Sequence, residues 1–231
     1  MSKQRIEKII AHNTSYTRSQ ILKMIRKGNI QVNGIKIHKS ILIESQKDFV
    51  LINDQPLKIS KYHYYLFNKP AGYLSANSDK NDLTIFDLIN LKPTQYFCVG
   101  RLDKDSEGLM IITDDGGWAN WVLKPKNHIP KTYYVEVDKE FNDTIKRHSG
   151  DIKIQGYIVN KYKFKFITKN TCELTIYEGK YHQVKQMLNY FGYTVTYLKR
   201  ISFGSVTLPD DLAKGQIREV DFSTISSFKK S

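Results

Sequence analysis

The sequence lacks several features that define large classes of protein. No apolar run approaches the roughly 20 residues needed to cross a bilayer, and the opening MSKQRIEKII contains no apolar signal-peptide core. Only two cysteines are present, Cys98 and Cys172, and each lies in an alternating apolar run typical of a strand. We expect two reduced thiols rather than a disulfide framework. These absences predict a cytoplasmic protein with no membrane association.

Acidic residues are scarce relative to basic ones. The chain of 231 residues has 36 Lys and Arg against 23 Asp and Glu, a formal net charge of +13. Residues 1–60 contain eleven Lys and Arg but only four Asp and Glu, so this short segment alone supplies +7. Such a concentration favours a polyanionic partner, nucleic acid foremost, because each neutralised phosphate releases counterions. The length and the 40% hydrophobic content are those of a globular protein of one or two domains.

The basic N-terminal segment has the pattern of a compact module. Its apolar spacing predicts a short amphipathic helix over residues 3–12. A second helix follows in YTRSQILKMIRKGNI, where Thr17 and Gln20 fit a capping box and Gly28 ends the helix. The alternating runs around Asn-Gly in IQVNGIKI predict a β-hairpin. Two helices and a hairpin are therefore expected before residue 40.

Basic side chains on or beside the second helix lie off its apolar stripe and lead into the basic hairpin, which predicts one cationic surface. The expected RNA-contacting residues are Arg18, Lys23, Arg26, Lys27 and Asn33. The stretch YTRSQILKMIRKGNIQVNG resembles the S4 RNA-binding domain, which implies recognition of structured RNA by shape and backbone. We predict a small α/β S4-like domain over residues 1–58, a polar linker near 54–62, and a second domain over residues 62–231.

The second domain contains more predicted strands than helices, and the strands often follow one another directly. Their β-branched and aromatic content predicts strands in YHYYLFN, QYFCV, GLMIIT, KTYYVEV, GYIVNKYKFKFI, TCELTIY, YLKRISFGSVTL and GQIREV. Helices are predicted in LTIFDLINL, WANWVL and YHQVKQMLNYFGY. This order predicts an α+β fold with a mixed, mostly antiparallel sheet.

The ten residues VGRLDKDSEG contain one arginine and three carboxylates directly after an apolar run. Five positions follow the spacing of an EF-hand loop: Asp103, Asp105, Glu107, Gly108 and Asp114. Two features oppose calcium binding, because the last position prefers the longer Glu and the flanking segments are strand-like rather than helical. A polar connection between strands, with Asp103 turning the backbone, is the other local interpretation. We predict no metal site.

Four motifs in a fixed order support a third interpretation of the stretch around Asp103. FNKPAGYLSA, VGRLDKDSEGLMIITDDG, KTYYVEV and EGKYHQVKQML are similar in order and spacing to those of the pseudouridine synthases of the ribosomal small-subunit synthase A type, from about residue 63 to 220. That family also places an S4 domain in front. The resemblance implies isomerisation of a specific uridine in ribosomal RNA by base flipping, without a cofactor. Small-subunit RNA is the expected substrate, large-subunit RNA is the alternative, and we expect a monomer.

The resemblance also implies roles for four side chains. Asp103 matches the catalytic aspartate, which can act as nucleophile or stabilise positive charge developing at the anomeric carbon, and Lys185 matches its basic partner. Arg101 matches the arginine that pairs with RNA as the target nucleotide leaves its stack, and Tyr133 matches the tyrosine that packs on the target base. The wider superfamily often has Arg at the basic position, and Lys offers a point charge rather than a bidentate fork.

The neighbours of these residues are expected to be less important. Asp105 and Glu107 should shape the turn or remain solvated, and His182 should contact RNA or be a satisfied polar residue. Without the family resemblance, Tyr133 is one of fifteen tyrosines and Lys185 is an ordinary helix lysine.

Two other functions compete with the synthase prediction. A non-catalytic RNA-binding ribosome assembly factor would explain the charge equally well, but not an acid with a basic partner in the motif positions. An RNA methyltransferase would need a glycine-rich loop, and neither KPAGYL nor DDGGW has that pattern.

Overall fold

The computed structural model describes residues 3–226 and residue 228, which fall into two compact units, Met1–Lys61 and Tyr62–Ser231. The first unit contains helices α1 (Ile6–Asn13) and α2 (Arg18–Arg26) and strands β1 (Gln4–Arg5), β2 (Ile30–Val32), β3 (Ile35–Lys36), β4 (Leu42–Ile43), β5 (Val50–Ile52) and β6 (Gln55–Pro56). Four strands form a sheet in the order β3-β2-β5-β6, and β1 pairs with β4.

Local signals in the first unit are confirmed. The Thr17 hydroxyl accepts from the Gln20 amide, and the Gln20 side chain accepts from the Thr17 amide, which completes the capping box of α2. Asn33 and Gly34 both have positive φ, 51° and 82°, as a tight hairpin turn between β2 and β3 requires. Isoleucines from both helices and the sheet form one buried core, which includes Ile6, Ile10, Ile21, Ile25 and Ile30.

The second unit is built on one nine-stranded sheet. Its elements are β7 (Tyr64–Lys69), β8 (Phe97–Val99), β9 (Glu107–Thr113), α3 (Gly116–Leu123), β10 (Lys131–Val137), α4 (Asp143–Lys146), β11 (Ile152–Ile154), β12 (Tyr157–Val159), β13 (Tyr162–Phe166), β14 (Thr171–Ile176), α5 (Gln183–Tyr190), β15 (Val195–Phe203), β16 (Val206–Thr207), β17 (Ile217–Val220) and α6 (Phe222–Ser226). The order is β13-β14-β10-β15-β9-β7-β17, with β16 on β15 and β8 on β9. Among the strands of the described residues, only β9 and β15 pair in parallel, so the predicted α+β fold with a mostly antiparallel sheet is confirmed.

Strand β9 is an inner strand of this sheet, and all seven of its residues are buried. Leu109 and Ile111 belong to one core, and Met110 and Ile112 belong to another, because alternate side chains point to opposite faces. One edge of β9 pairs along its length with β7. The other edge is divided between β15 at the start of the strand and β8 at its end. The connection from β8 to β9 therefore leaves and re-enters the sheet beside β15.

Two secondary-structure predictions are wrong. LTIFDLINL forms only a 3-10 turn at Ile85–Asp87, because Thr84 is extended in a bridge to Leu74 and the Asp87 carboxylate caps the turn locally. GYIVNKYKFKFI forms two strands, and β12 pairs with β11 in a separate hairpin instead of continuing into β13. Both cysteines are free thiols, as expected. In the described part of the chain, no helix has the length and apolar character that a membrane crossing needs.

Candidate active site

The loop between β8 and β9 places Asp103 beside a cavity of about 400 Å³. Short main-chain contacts fix this loop: the Leu102 amide donates to Ser75 Oγ (3.1 Å), and the Ser75 hydroxyl donates to the Leu102 carbonyl (2.6 Å). The Ser106 amide closes a turn on the Asp103 carbonyl at 3.1 Å. The Asp103 side chain is about one-third exposed. A carboxylate so placed is both held in position and open to a ligand.

Lys69, at the end of β7, organises the same loop from within the protein. Its side chain is fully buried, and its ammonium donates to the carbonyls of Pro70 (3.0 Å), Asp103 (3.1 Å), Lys104 (3.3 Å) and Ser106 (2.8 Å). Burial lowers the pKa of Lys69 to about 8, against the opposite pull of nearby carboxylates, Asp105 first among them. This role of Lys69 was not predicted; the available signal in the sequence was a lysine that ends an otherwise buried strand.

The lowered pKa of Lys69 predicts a pH dependence of stability. Because its pKa falls from 10.5 to about 8 on folding, the unfolded chain binds more protons between these values, and the free energy of unfolding rises with pH across that window. From pH 8 to pH 9, we expect the free energy of unfolding of wild type to rise by about 1 kcal/mol relative to that of Lys69→Met. Urea unfolding at each pH measures it, with the exposed-lysine variant Lys126→Met as the control. A difference independent of pH would contradict the prediction.

Helix α5 and the residue before it bring two basic side chains to Asp103. His182 Nε2 lies 3.6 Å from Asp103 Oδ1, and Lys185 Nζ lies 3.6 Å from Asp103 Oδ2. His182 has a left-handed backbone (φ 48°) immediately before α5 begins. Lys185 therefore lies next to Asp103, as expected. His182 is a second basic neighbour of Asp103, which the sequence did not predict.

Asp105 lies in the turn and is largely exposed, as expected, but it also has a partner that the sequence did not indicate. Lys185 Nζ donates to both carboxylate oxygens of Asp105 at 2.7 Å, which is closer than its contact with Asp103. This hydrogen bond holds the pKa of Asp105 below its ordinary value. Asp105 thus anchors Lys185, which faces two carboxylates at once.

Glu107, in contrast to Asp105, is neither solvated nor in a loop, so the expectation for this residue is wrong. It is buried at the first position of β9, and its Oε2 accepts from Tyr197 and Lys214, each at 2.7 Å. Burial raises its pKa, but these hydrogen bonds outweigh burial, so the pKa lies below its ordinary value. Since residues 107–113 form an extended strand, the calcium-loop alternative fails: its later positions cannot curl around an ion with the earlier ones.

Tyr133 and Arg101 line the same cavity as Asp103. Tyr133 lies on β10, where alternate residues are buried, and it is only 7% exposed. Arg101 is exposed, two residues before Asp103. The structure therefore brings together all four side chains that the sequence analysis proposed for the site.

The inner wall of the cavity contains two further buried cations that sequence reasoning missed. Arg200, on β15, is fully buried and donates to the carbonyls of Leu109 and Gly100, both at 2.7 Å. It ties the start of the Asp103 loop to β9. Lys131 donates to the Ile129 carbonyl at 3.2 Å, and burial lowers its pKa to about 8. Lys131 is the first residue of β10, and Arg200 directly follows Lys199 in β15, so neither could be distinguished by sequence from a solvent-facing basic residue.

The expected RNA-contacting residues all lie in the first unit. Arg18, Lys23 and Arg26 are exposed on α2, and Lys27 is exposed at its end. Asn33 is used differently, because its side chain donates to Asp48 Oδ1 and accepts from the Phe49 amide, both at 2.9 Å. Those bonds hold the hairpin against the next loop, so the amide of Asn33 is committed to the fold.

The chain is similar to known proteins over nearly its whole length. Residues 63–190 match the family model described as RNA pseudouridylate synthase. An uncharacterized RNA pseudouridine synthase of Bacillus subtilis, YtzG, is 34% identical over 94% of both chains. The ribosomal small subunit pseudouridine synthase A of Haemophilus influenzae is 32% identical over 98% of this chain and 100% of its own. A crystal structure of a pseudouridylate synthase, 32% identical, superposes with a TM-score of 0.69 over 97% of this chain and 99% of that one. The chain belongs to the RNA pseudouridine synthase family, whose members are isomerases acting on RNA.

Proposed function

We propose that this RNA pseudouridine synthase modifies a uridine of small-subunit ribosomal RNA, with Asp103 as the nucleophile. The observation that carries the proposal is the placement of the Asp103 carboxylate at a cavity, within 3.6 Å of both His182 and Lys185. The choice of RNA is supported by the full-length similarity to the Haemophilus small-subunit enzyme.

The reaction needs one carboxylate and no outside reagent. An oxygen of Asp103 attacks the anomeric carbon of the ribose, and the uracil leaves with the electron pair of the glycosidic bond. The uracil rotates, its C5 displaces the carboxylate, C5 loses its proton and N1 gains one, so the product is an isomer of the substrate. Lys185 and His182, each 3.6 Å from an oxygen of the Asp103 carboxylate, are proposed to orient that carboxylate toward the ribose.

Access to the glycosidic bond requires the target uridine to leave its stack. Extruding a base costs a few kcal/mol, and the cavity offers compensating contacts. Tyr133 lines it as a stacking surface for the base, and stacking on an aromatic ring contributes about 1–3 kcal/mol. Arg101, exposed next to Asp103, is the side chain proposed to occupy or hold the position that the base leaves. No metal or cofactor takes part in these proposed roles.

The first unit is proposed to act as an S4-like RNA-binding domain. Its two helices, the β2–β3 hairpin and its net charge of +7 over residues 1–60 support this role. The exposed cations of α2 are the proposed phosphate contacts. Asn33 supports the hairpin instead of binding RNA, because Asp48 and Phe49 occupy its side chain.

Deleting residues 1–61 should weaken RNA binding without unfolding the catalytic unit. The cut follows the boundary between the two compact units, and it removes more than half of the net charge of +13. We expect the affinity for ribosomal RNA to fall about tenfold or more and the salt dependence of binding to become shallower. Filter binding at several salt concentrations measures both, and circular dichroism checks the fold.

A full-length variant separates the effect of the lost charge on RNA binding from the effect of losing the whole first unit. The double substitution Arg26→Glu and Lys27→Glu should reproduce part of the shallower salt dependence, since both side chains are exposed. An unchanged affinity and salt slope in the truncated protein would argue against RNA binding by the first unit.

The proposed substrate is tested by carbodiimide mapping of pseudouridine. Ribosomal RNA from cells with and without this protein is compared, and one small-subunit position should lose its signal when the protein is absent and regain it when the purified enzyme is added. A change confined to large-subunit RNA would replace the proposed substrate. No change in either RNA would overturn the ribosomal assignment.

A further inference from the structure

A second cavity, about 460 Å³ in volume, lies between the β11–β12 hairpin and α5, next to the Asp103 site. Apart from the aliphatic Ile154, its lining residues are polar, aromatic or basic, with no carboxylate among them: Lys153, Gln155, Tyr181, His182, Gln186, Asn189 and Tyr190. His182 is common to both cavities. The second cavity is therefore continuous with the surface that surrounds the catalytic carboxylate.

The second cavity forms a groove whose walls are held in place by one side chain, Gln186. Gln186 accepts from the Gln155 amide at 2.9 Å and donates to the Tyr181 carbonyl at 2.5 Å. It therefore fixes the hairpin on one side and the segment before α5 on the other. A groove held in this way binds a ligand with little cost for ordering its own walls.

Tyr181 is the unusual feature of the groove. Its side chain is 75% exposed, more than any other large hydrophobic residue in the described chain, although it sits beside a cavity. Its ring stacks on the His182 ring, with centroids 3.9 Å apart and planes 17° from parallel. His182 in turn faces Asp103. The outer face of Tyr181 thus continues a stack of rings that starts beside the catalytic carboxylate.

We propose that this groove binds the base of a nucleotide adjacent to the target uridine, with Tyr181 as its stacking surface. The inference rests on the proposed function, since the RNA strand must pass Asp103. An aromatic face accepts any base, the amides of Gln155 and Asn189 match the donors and acceptors of a base edge, and Lys153 suits a phosphate. The absence of carboxylates among the lining residues favours RNA over a basic protein segment.

The test compares Tyr181→Ala with Tyr181→Phe on unmodified ribosomal RNA. We expect Tyr181→Ala to raise KM about fivefold or more, because a lost base–aromatic stack costs about that factor or more in affinity. The maximal rate should change much less than KM, and Tyr181→Phe should restore KM, since only the ring is needed. Ile158→Ala is the control: this residue is 52% exposed on the same hairpin but outside the groove. Equal KM values for Tyr181→Ala and Ile158→Ala would overturn the proposal.

A second arm identifies the nucleotide. In an RNA fragment that spans the modified uridine, an abasic residue placed on one side of it should raise KM for wild type and leave Tyr181→Ala unaffected. A penalty from Tyr181→Ala that survives abasic substitution at both neighbours would also overturn the proposal.

A binding measurement separates failure of this inference from failure of the proposed function. If wild type forms no pseudouridine in ribosomal RNA, the substrate assignment fails, and the groove is then judged with decauridylate. Weaker binding of this single strand by Tyr181→Ala than by wild type and Ile158→Ala would support the groove. Equal binding of decauridylate by all three proteins would reject the groove as an RNA site.

Discussion

The variant Asp103→Asn is expected to lose single-turnover pseudouridine formation by about 10³-fold or more. Asparagine keeps the size of the side chain and much of its hydrogen bonding, but it cannot attack the anomeric carbon. RNA affinity should change no more than about threefold, because binding rests on cations distributed over the chain rather than on this carboxylate. Quenched single-turnover assays and filter binding give the two quantities.

Asp105→Asn is the matched control for this prediction. It removes a carboxylate two residues away that anchors Lys185 at 2.7 Å, yet it leaves the proposed nucleophile Asp103 itself unchanged. We expect a loss of about tenfold or less, as for a positioning contact. EDTA should leave the rates of wild type and Asp105→Asn unchanged. Appreciable activity in Asp103→Asn, or equal losses in the two variants, would refute the assignment of Asp103 as nucleophile.

The variant Gly108→Ala is expected to be the most destabilising small substitution near the site. Gly108 has φ of +102°, and an added Cβ would lie 2.3 Å from the Arg200 carbonyl oxygen. That contact is at the parallel pairing of β9 with β15, so neither backbone can move without breaking the ladder. Backbone strain and overpacking each cost about 1–3 kcal/mol, which predicts a loss of about 4 kcal/mol in the free energy of unfolding. Urea denaturation provides the measurement.

Gly72→Ala separates strain from close approach. Gly72 has a similar φ of +93°, but nothing lies within 4 Å of the added Cβ. This variant should lose only the strain contribution, about 1–2 kcal/mol. If both variants lost the same stability, the backbone contact between Gly108 and Arg200 would not be the cause.

Features encoded within a few residues could be predicted from the sequence. The capping box of Thr17 and Gln20 and the Asn-Gly hairpin depend only on neighbours along the chain, and both formed as expected. Composition and strand order were also enough for the α+β class. LTIFDLINL failed because its apolar spacing did not reveal the bridge between Leu74 and Thr84, which holds the start of that segment extended.

The site depended on contacts between distant residues. Asp103 and Lys185 are 82 positions apart, and only the resemblance of whole motifs linked them before the structure did. The competition of Asp105 for Lys185, the approach of His182 and the buried ammonium of Lys69 all follow from where α5 and β7 pack. No local pattern contains that information. Polar residues in strands and at helix ends usually face solvent, so the sequence does not show which of them make buried contacts.

The hydrogen bonds of Arg200 affect the order in which the two units of the chain can fold during protein synthesis. Its hydrogen bonds to Leu109 and Gly100 join residues 91 and 100 positions apart, so the Asp103 loop is fastened only after β15 has been made. The first unit, by contrast, is complete at about residue 61. Because domains generally fold as units from the N-terminus during translation, a nascent chain gains a folded, positively charged module well before it has a working catalytic centre.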